Sequence, residues 1–194
     1  PLDDGSDAWL ESRWRELGGD SGHRDAGIEI EGRRIGVRAR DNGMVWFDFA
    51  AVCEGPRGSA DYIEIGTEFH TVLLGGVPVF DAQRDDATRR FITLIDELYD
   101  RHVNLICSAD ASPAALYRGE RLTAAFERTA SRLIEMQSAE YLALEHRGLG
   151  AGDDEIQRRR RELGLGRIEH VLAVDVADAR GADRAVERNA REHQ

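Results

Sequence analysis

The spacing of apolar residues changes repeatedly along the chain, and each change predicts an element. Over residues 6–17, Trp9, Leu10, Trp14 and Leu17 recur at helical spacing among charges, and Gly18-Gly19 stops the run. Ser6 or Asp7 can cap this helix. Two tryptophans on so short and charged a helix are expected to dock on the domain or on a neighbour. Over residues 27–49 the period falls to two. Ile28 and Ile30 alternate with Glu29 and Glu31, Ile35 and Val37 alternate with Arg34, Gly36 and Arg38, and Asp41-Asn42-Gly43 is a hairpin signal before Met44. That pattern predicts a three-stranded antiparallel meander, with Arg33, Arg34, Arg38 and Arg40 on a solvated face or a partner surface. A helical turn is expected over residues 49–53, closed by Gly55-Pro56. A helix capped by Ser59 and running to Glu68 follows, with Tyr62, Ile63, Ile65 and Phe69 apolar.

The stretch 70–110 carries the architecture. Thr71-Val72-Leu73-Leu74 is too short for a helix and rich in strand formers. An amphipathic helix begins at Asp85, with Phe91, Ile92, Leu94, Ile95, Leu98 and Tyr99 on one broad stripe, and a second apolar run covers residues 103–107. Strand, helix, strand at this spacing predicts a parallel βαβ unit with a right-handed crossover. Sites in such folds lie at the carboxyl ends of the strands, here Gly75-Gly76 and Ser108-Ala109-Asp110. Beyond them a turn at Ser112-Pro113 leads to a helix over residues 122–136 with Leu133, Ile134 and Met136 as core candidates, and Ser138 caps a last turn.

Three blocks of chain are expected. Residues 1–26 form an N-terminal helical arm, 27–147 an α/β body, and 148–194 a charged tail, weakly folded unless a partner covers it. In that tail residues 148–152 read as a linker, 153–163 as a solvated helix and 168–176 as its one apolar island. The chain begins at Pro1, without a methionine, and is expected to be a segment of something longer.

Charge and composition narrow the chemistry. The net charge of −11 argues against general nucleic-acid binding, which needs a basic footprint. No apolar run approaches the ~20 residues of a membrane span, and no signal peptide is visible. All 26 basic residues are arginine. A chain without lysine has no phosphate-loop lysine, Schiff base or lysine general base. Cys53 and Cys107 are too few and too far apart for a zinc site, and are expected as reduced, buried thiols.

Four ungapped blocks between residues 28 and 142 resemble a known family: WFDFAAVCEGP (46–56), ADYIEIGTEFHTVLLGGVPVF (60–80), RRFITLIDELYDRHVNLICSA (89–109) and FERTASRLIEMQSAEYL (126–142). They look like the C-terminal half of the ZapE-type ATPases, the AFG-one-like family of AAA+ proteins. The resemblance implies an α/β fold of P-loop NTPase type, with ATP and Mg2+ as cofactors of the full-length family. It also implies a cytoplasmic protein, peripheral at the division site, or one acting in protein quality control. Expected partners are the N-terminal half that bears the Walker motifs, a neighbouring subunit, or a cell-division or quality-control protein, with a homo-oligomer as a further option. The family's Walker A lysine and Walker B carboxylates have no counterpart here, so this chain alone is not expected to hydrolyse ATP. The alternative is a stand-alone, non-catalytic binding module derived from the fold.

Walker B chemistry needs carboxylates directly after an apolar strand, to hold magnesium. Here Val72-Leu73-Leu74 meets Gly75-Gly76, while Asp81, Asp85 and Asp86 come later, where they cap the next helix. No metal site is expected. The candidates that remain are cationic or polar. Arg128 and Arg132 share a helix face and are candidate phosphate-contacting residues or arginine fingers. Arg89, Arg90 and Ser108 are candidate nucleotide-binding residues. The competing reading pairs these arginines with Asp85, Asp86, Glu127 or Glu135. A hydrolytic site drawn from His70, His102, Glu64 and Glu68 has no accompanying nucleophile.

Overall fold

Three strands run side by side through the middle of the molecule: β4 (Met44–Asp48), β5 (Thr71–Val77) and β6 (Asn104–Ala109), all parallel, with Trp46 beside Leu73 and Leu73 beside Ile106. The computed structural model describes residues 4–19, 27–30, 32–148 and 175–176. β3 (Ala39–Asp41) joins antiparallel to β4, and the two-residue β7 (Asp175–Val176) joins parallel to β6. The parallel strands are covered on both faces. Their sequences are therefore continuous apolar runs.

The predicted meander is divided between two sheets. β1 (Ile28–Ile30) and β2 (Arg33–Ile35) pair only with each other, while β3 and β4 belong to the large sheet. The break falls at Gly36-Val37-Arg38, where Val37 turns into the core and the Arg38 N–H donates to the Trp46 carbonyl at 2.8 Å. Period-two alternation reports a half-buried strand and says nothing about which sheet it joins. The hairpin turn itself forms as expected, with Asn42 and Gly43 both left-handed (φ 45° and 73°).

Both crossovers, β4 to β5 and β5 to β6, lie on one side of the sheet, as right-handed connections between sequential neighbours require. That side carries α2 (Phe49–Cys53), α3 (Ser59–Glu68), α4 (Asp85–Asp100) and α5 (Thr123–Glu135), packed with Val45, Phe47, Val72, Leu74, Leu105 and Cys107. Phe80, Phe91 and Phe126 meet at the centre of this layer, Phe80 lying 5.2 Å from Phe91 and 5.6 Å from Phe126. The opposite face presents Met44, Trp46, Leu73 and Ile106 to α1 (Asp4–Glu16). Leu10 and Trp14 are fully buried there, Trp14 at 6.5 Å from Trp46. The docking helix expected from its tryptophans thus covers the chain's own sheet. Each such side chain contributes about 1.5–3 kcal/mol of burial.

α4 and α5 run in the same direction, since their contacts advance together: Phe91 meets Phe126, and Asp96 meets Arg128 and Arg132. The C-terminal carbonyls of α4 face Tyr141 of α6 (Ala139–Leu142), whose hydroxyl lies 3.3–3.4 Å from the oxygens of Leu98, Tyr99 and Val103. Leu133 and Met136 are buried as expected. Ile63 and Ile134 are not: they are 40% and 55% exposed. α3 and α5 are each covered on one side only, and a step of one residue around a helix rotates a side chain by ~100°, past the edge of that side. The cap of α3 also differs, since Gly58 takes the cap position, Asp61 accepts its N–H at 2.8 Å, and the Ser59 hydroxyl donates to Glu97. Both cysteines are free and buried, and burial pushes the Cys107 thiol up to about 12. The linker, solvated helix and weak tail expected after Gly148 lie outside the described residues, apart from β7.

Candidate functional site

The carboxyl ends of the parallel strands present Asp48, Gly75-Gly76 and Ser108. Gly76 has φ +82°, and the β5–β6 register shifts between Leu74 and Val77. The ladder is interrupted at that point, and the Ser108 hydroxyl accepts the Gly76 N–H at 3.1 Å. Ser108 is 1% exposed. It is placed as an internal staple of the sheet, not at a surface where a ligand oxygen would sit. Gly75 is close-packed: a Cβ there would stand 3.3 Å from Leu10 and 3.7 Å from the Asp48 carboxylate. Asp48 accepts from Arg38 Nε at 2.7 Å, and Arg38 Nη1 reaches Asp7 of α1 at the same distance. The guanidinium lies over the Trp46 ring, 5.5 Å from its centroid. Burial works against charge on Arg38, but Asp7 and Asp48 outweigh it and raise its pKa. Two of the arginines read as a solvated face are thus clamps. Arg38 ties α1 to β4, and Arg33 donates to both carboxylate oxygens of the fully buried Asp61 at 2.7 and 2.9 Å.

Arg89 and Arg90 open α4 but point to different flanks, because adjacent helical residues stand ~100° apart. Arg90 Nη1 donates to the Cys53 carbonyl at 3.3 Å and lines a groove of about 470 Å³ with Glu54, Asp81, Arg84 and Asp86. The groove mixes both signs of charge, and its Arg84 pairs with Glu54 at 3.3 Å. Asp81 accepts the Gln83 N–H at 3.0 Å and so caps the short turn over residues 82–84, while Asp85 and Asp86 occupy the first turn of α4, whose cap position is taken by Arg84 without a side-chain hydrogen bond. Arg89 is on the other flank and exposed. Among the described residues no hydrogen bond or ion pair holds its guanidinium.

Arg128 and Arg132 converge on one carboxylate, Asp96 of α4. Arg132 donates to Oδ1 in a short bond, lies 3.9 Å from Asp100, and sits over the Tyr99 ring at 4.8 Å. Arg128 reaches Oδ2 at 3.4 Å. The pairing is therefore with Asp96 and not with Asp85, Asp86, Glu127 or Glu135, and Asp85 faces Arg121 at 3.6 Å instead. The structure brings Arg128 and Arg132 together on Asp96, and Arg89 lies on the Asp96 flank of α4 about 10 Å away along the axis. It leaves Arg90 on the far flank and Ser108 inside the sheet. Asp96 and Tyr99 were invisible as site residues. An acid and an aromatic on an amphipathic helix acquire meaning only once a second helix is docked beside them. His70 and His102 donate ring N–H groups to the carbonyls of Asn42 (3.0 Å) and Glu145 (2.8 Å), which makes them structural ties.

Residues 1–145 match the sequence profile of the AFG1-like ATPases. The chain belongs to the AFG1-like ATPase family. Among its relatives, the cell division protein ZapE of Escherichia coli (strain K12) is 39% identical over 146 residues, which is 75% of this chain and 39% of that protein. Lactation elevated protein 1 homolog B of Danio rerio is 29% identical over 146 residues, 59% of this chain and 29% of that one. An uncharacterized protein of Schizosaccharomyces pombe is 34% identical over 98 residues, half of this chain and 21% of its own length. The chain thus spans about two fifths of ZapE. No solved structure matches.

The AFG1-like family implies a nucleotide, and the residues at the strand ends can be tested against one. Asp48 is committed to Arg38, Gly75-Gly76 offers no carboxylate, and the Ser108 hydroxyl is committed to Gly76. These groups do not fit a magnesium–triphosphate site. The arginines of α4 and α5 suit phosphate oxygens, but they stand on the outer side of the helical layer. No helix among the described residues is long and apolar enough to cross a membrane.

Proposed function

We propose that this chain is the C-terminal part of a ZapE-type AAA+ ATPase acting in cell division, and that it completes the fold without hydrolysing ATP by itself. In this reading residues 27–147 are the α/β body, residues 1–26 an arm and 148–194 a charged tail. ATP and Mg2+ are held by a Walker-bearing half or by a neighbouring subunit, in a cytoplasmic protein peripheral to the division site. Cationic side chains of α4 and α5 are this chain's contribution toward phosphate.

The observation that carries the proposal is a mismatch. A family match covering residues 1–145 coincides with strand ends whose Asp48 carboxylate and Ser108 hydroxyl are engaged by Arg38 and Gly76. The test has two parts. The DNA upstream of Pro1 is read for in-frame Walker A and Walker B motifs, and ATP turnover with magnesium is measured for the isolated chain and for the whole product of that reading frame. Both motifs, an active whole and an inactive chain are expected. Turnover by the isolated chain would overturn the proposal. An upstream frame without Walker motifs would favour the stand-alone binding module.

A further inference from the structure

β6 has the side chains of an interior strand but, over most of its length, a neighbour on one edge only. Leu105, Ile106 and Cys107 are each at most 3% exposed, Leu105 and Cys107 within the helical layer and Ile106 on the α1 side. Strands buried on both faces in this way belong inside a parallel sheet. β5 lies along one edge of β6, from Asn104 to Ala109. On the outer edge, among the described residues, only Ser108 and Ala109 are paired, with Asp175 and Val176 of β7. An apolar strand whose outer N–H and C=O groups lack a ladder is an open template for another strand.

We propose that residues 171–174 continue β7 backward along this edge, so that the chain closes its own sheet with a full-length outer strand. The register is already set. The β7 pairs are parallel, with Ser108 beside Asp175 and Ala109 beside Val176. Counted back one residue at a time, they put Val171 beside Asn104, Leu172 beside Leu105, Ala173 beside Ile106 and Val174 beside Cys107. Successive residues of a strand alternate between the two faces of a sheet, and paired residues share one. This register sets Leu172 and Val174 on the face that carries the helical layer, and the small Ala173 on the α1 face. A slip of one residue would exchange them. The segment belongs to the one apolar island after Gly148, is rich in β-branched valine, and lies beyond the residues that match the family. Topology agrees as well. A strand parallel to β6 must enter at the Asn104 end, and residues 145–147 lie there: the Glu145 carbonyl receives His102, and the Arg147 N–H donates to the Arg101 carbonyl. β6, α5 and the completed strand then form a third right-handed unit on the same side of the sheet as the first two. The occupant of the edge is this chain, which leaves β6 closed to strand addition by a partner.

The experiment uses the full chain, and no readout involves nucleotide, so failure of the reading under Proposed function leaves this inference standing. Hydrogen exchange should find alternate amides between residues 171 and 176 slowed at least about 100-fold relative to a free peptide of the same sequence, because alternate residues of a parallel strand bond toward one neighbour. Nuclear Overhauser contacts should connect Val174 with Cys107 and Leu172 with Leu105. Val174→Asp should lower the melting temperature by about 3 °C or more and abolish the protection, while Leu165→Asp, the same change outside the segment, shifts it by less than about 1 °C. Exchange at free-peptide rates throughout the segment overturns the proposal. So do contacts in a register shifted by one residue, or equal melting losses for the two variants. In a mixture of differently labelled copies, contacts that cross between molecules would show the edge filled by a second copy and would overturn closure within one chain.

Discussion

Replacement of Ser108 by alanine tests whether this residue is a staple or a sensor, and the cost follows from the structure. The hydroxyl is buried and accepts the Gly76 N–H at 3.1 Å, where the β5–β6 register slips. Ser108→Ala removes that acceptor, and Gly76 has no ladder partner to fall back on. A net hydrogen bond is worth about 1 kcal/mol, and a stranded buried donor costs about 1–3 kcal/mol more. Gly76 is only partly buried, so water recovers part of the second penalty. The expected loss is about 1.5 kcal/mol, or roughly 3–6 °C in melting temperature for a chain of this size. Urea denaturation of the isolated chain measures it, with the slope unchanged because the same surface unfolds. A loss below about 0.5 kcal/mol would refute the staple. Stability unchanged alongside lost turnover in the whole protein would restore Ser108 to the nucleotide.

Two further outcomes are expected. The Arg33–Asp61 pair should couple strongly, because Arg33→Ala leaves a fully buried carboxylate answered only by the Gly58 N–H. About 3 kcal/mol is expected for Arg33→Ala, with the double replacement by alanine costing at least ~1 kcal/mol less than the sum of the singles, and additive values in urea would show the pair to be incidental. On the alkaline side, burial holds the Cys107 thiol up to about 12 from an ordinary value of 9.0, and it raises Cys53 as well. The folded state therefore keeps protons that the unfolded chain releases. Their contribution is complete below pH 9 and is lost as pH rises toward the folded values. Melting temperature should fall steadily from pH 9 to 10.5, and substitution of Cys107 by alanine should flatten part of that slope. An unchanged slope would sink the assignment.

Much of the scaffold was legible along the chain, for physical reasons that are local. The stripe from Phe91 to Leu98 marks α4, Asn42-Gly43 marks a hairpin because both residues accept left-handed backbone, and two unbroken apolar runs mark strands covered on both faces. The four-block resemblance was legible as well, and the family it named is the one to which the chain belongs. The candidate site was legible only in part. Arg128 and Arg132 share a face by helical periodicity alone, but their counter-ion lies 32 and 36 residues earlier.

Sequence by itself determined the elements, the α/β class and the family, together with one exclusion: a chain without lysine supplies no Walker A lysine. Tertiary structure decided the rest. It split the meander, because alternation encodes burial and not partnership. It turned Arg33 and Arg38 from a solvated face into clamps, since a charge's role depends on which carboxylate is folded against it. It took Ser108 out of reach by slipping one strand against another. And it separated Arg132 from Arg128, two residues alike in sequence, through the distance each keeps from a single aspartate on the neighbouring helix.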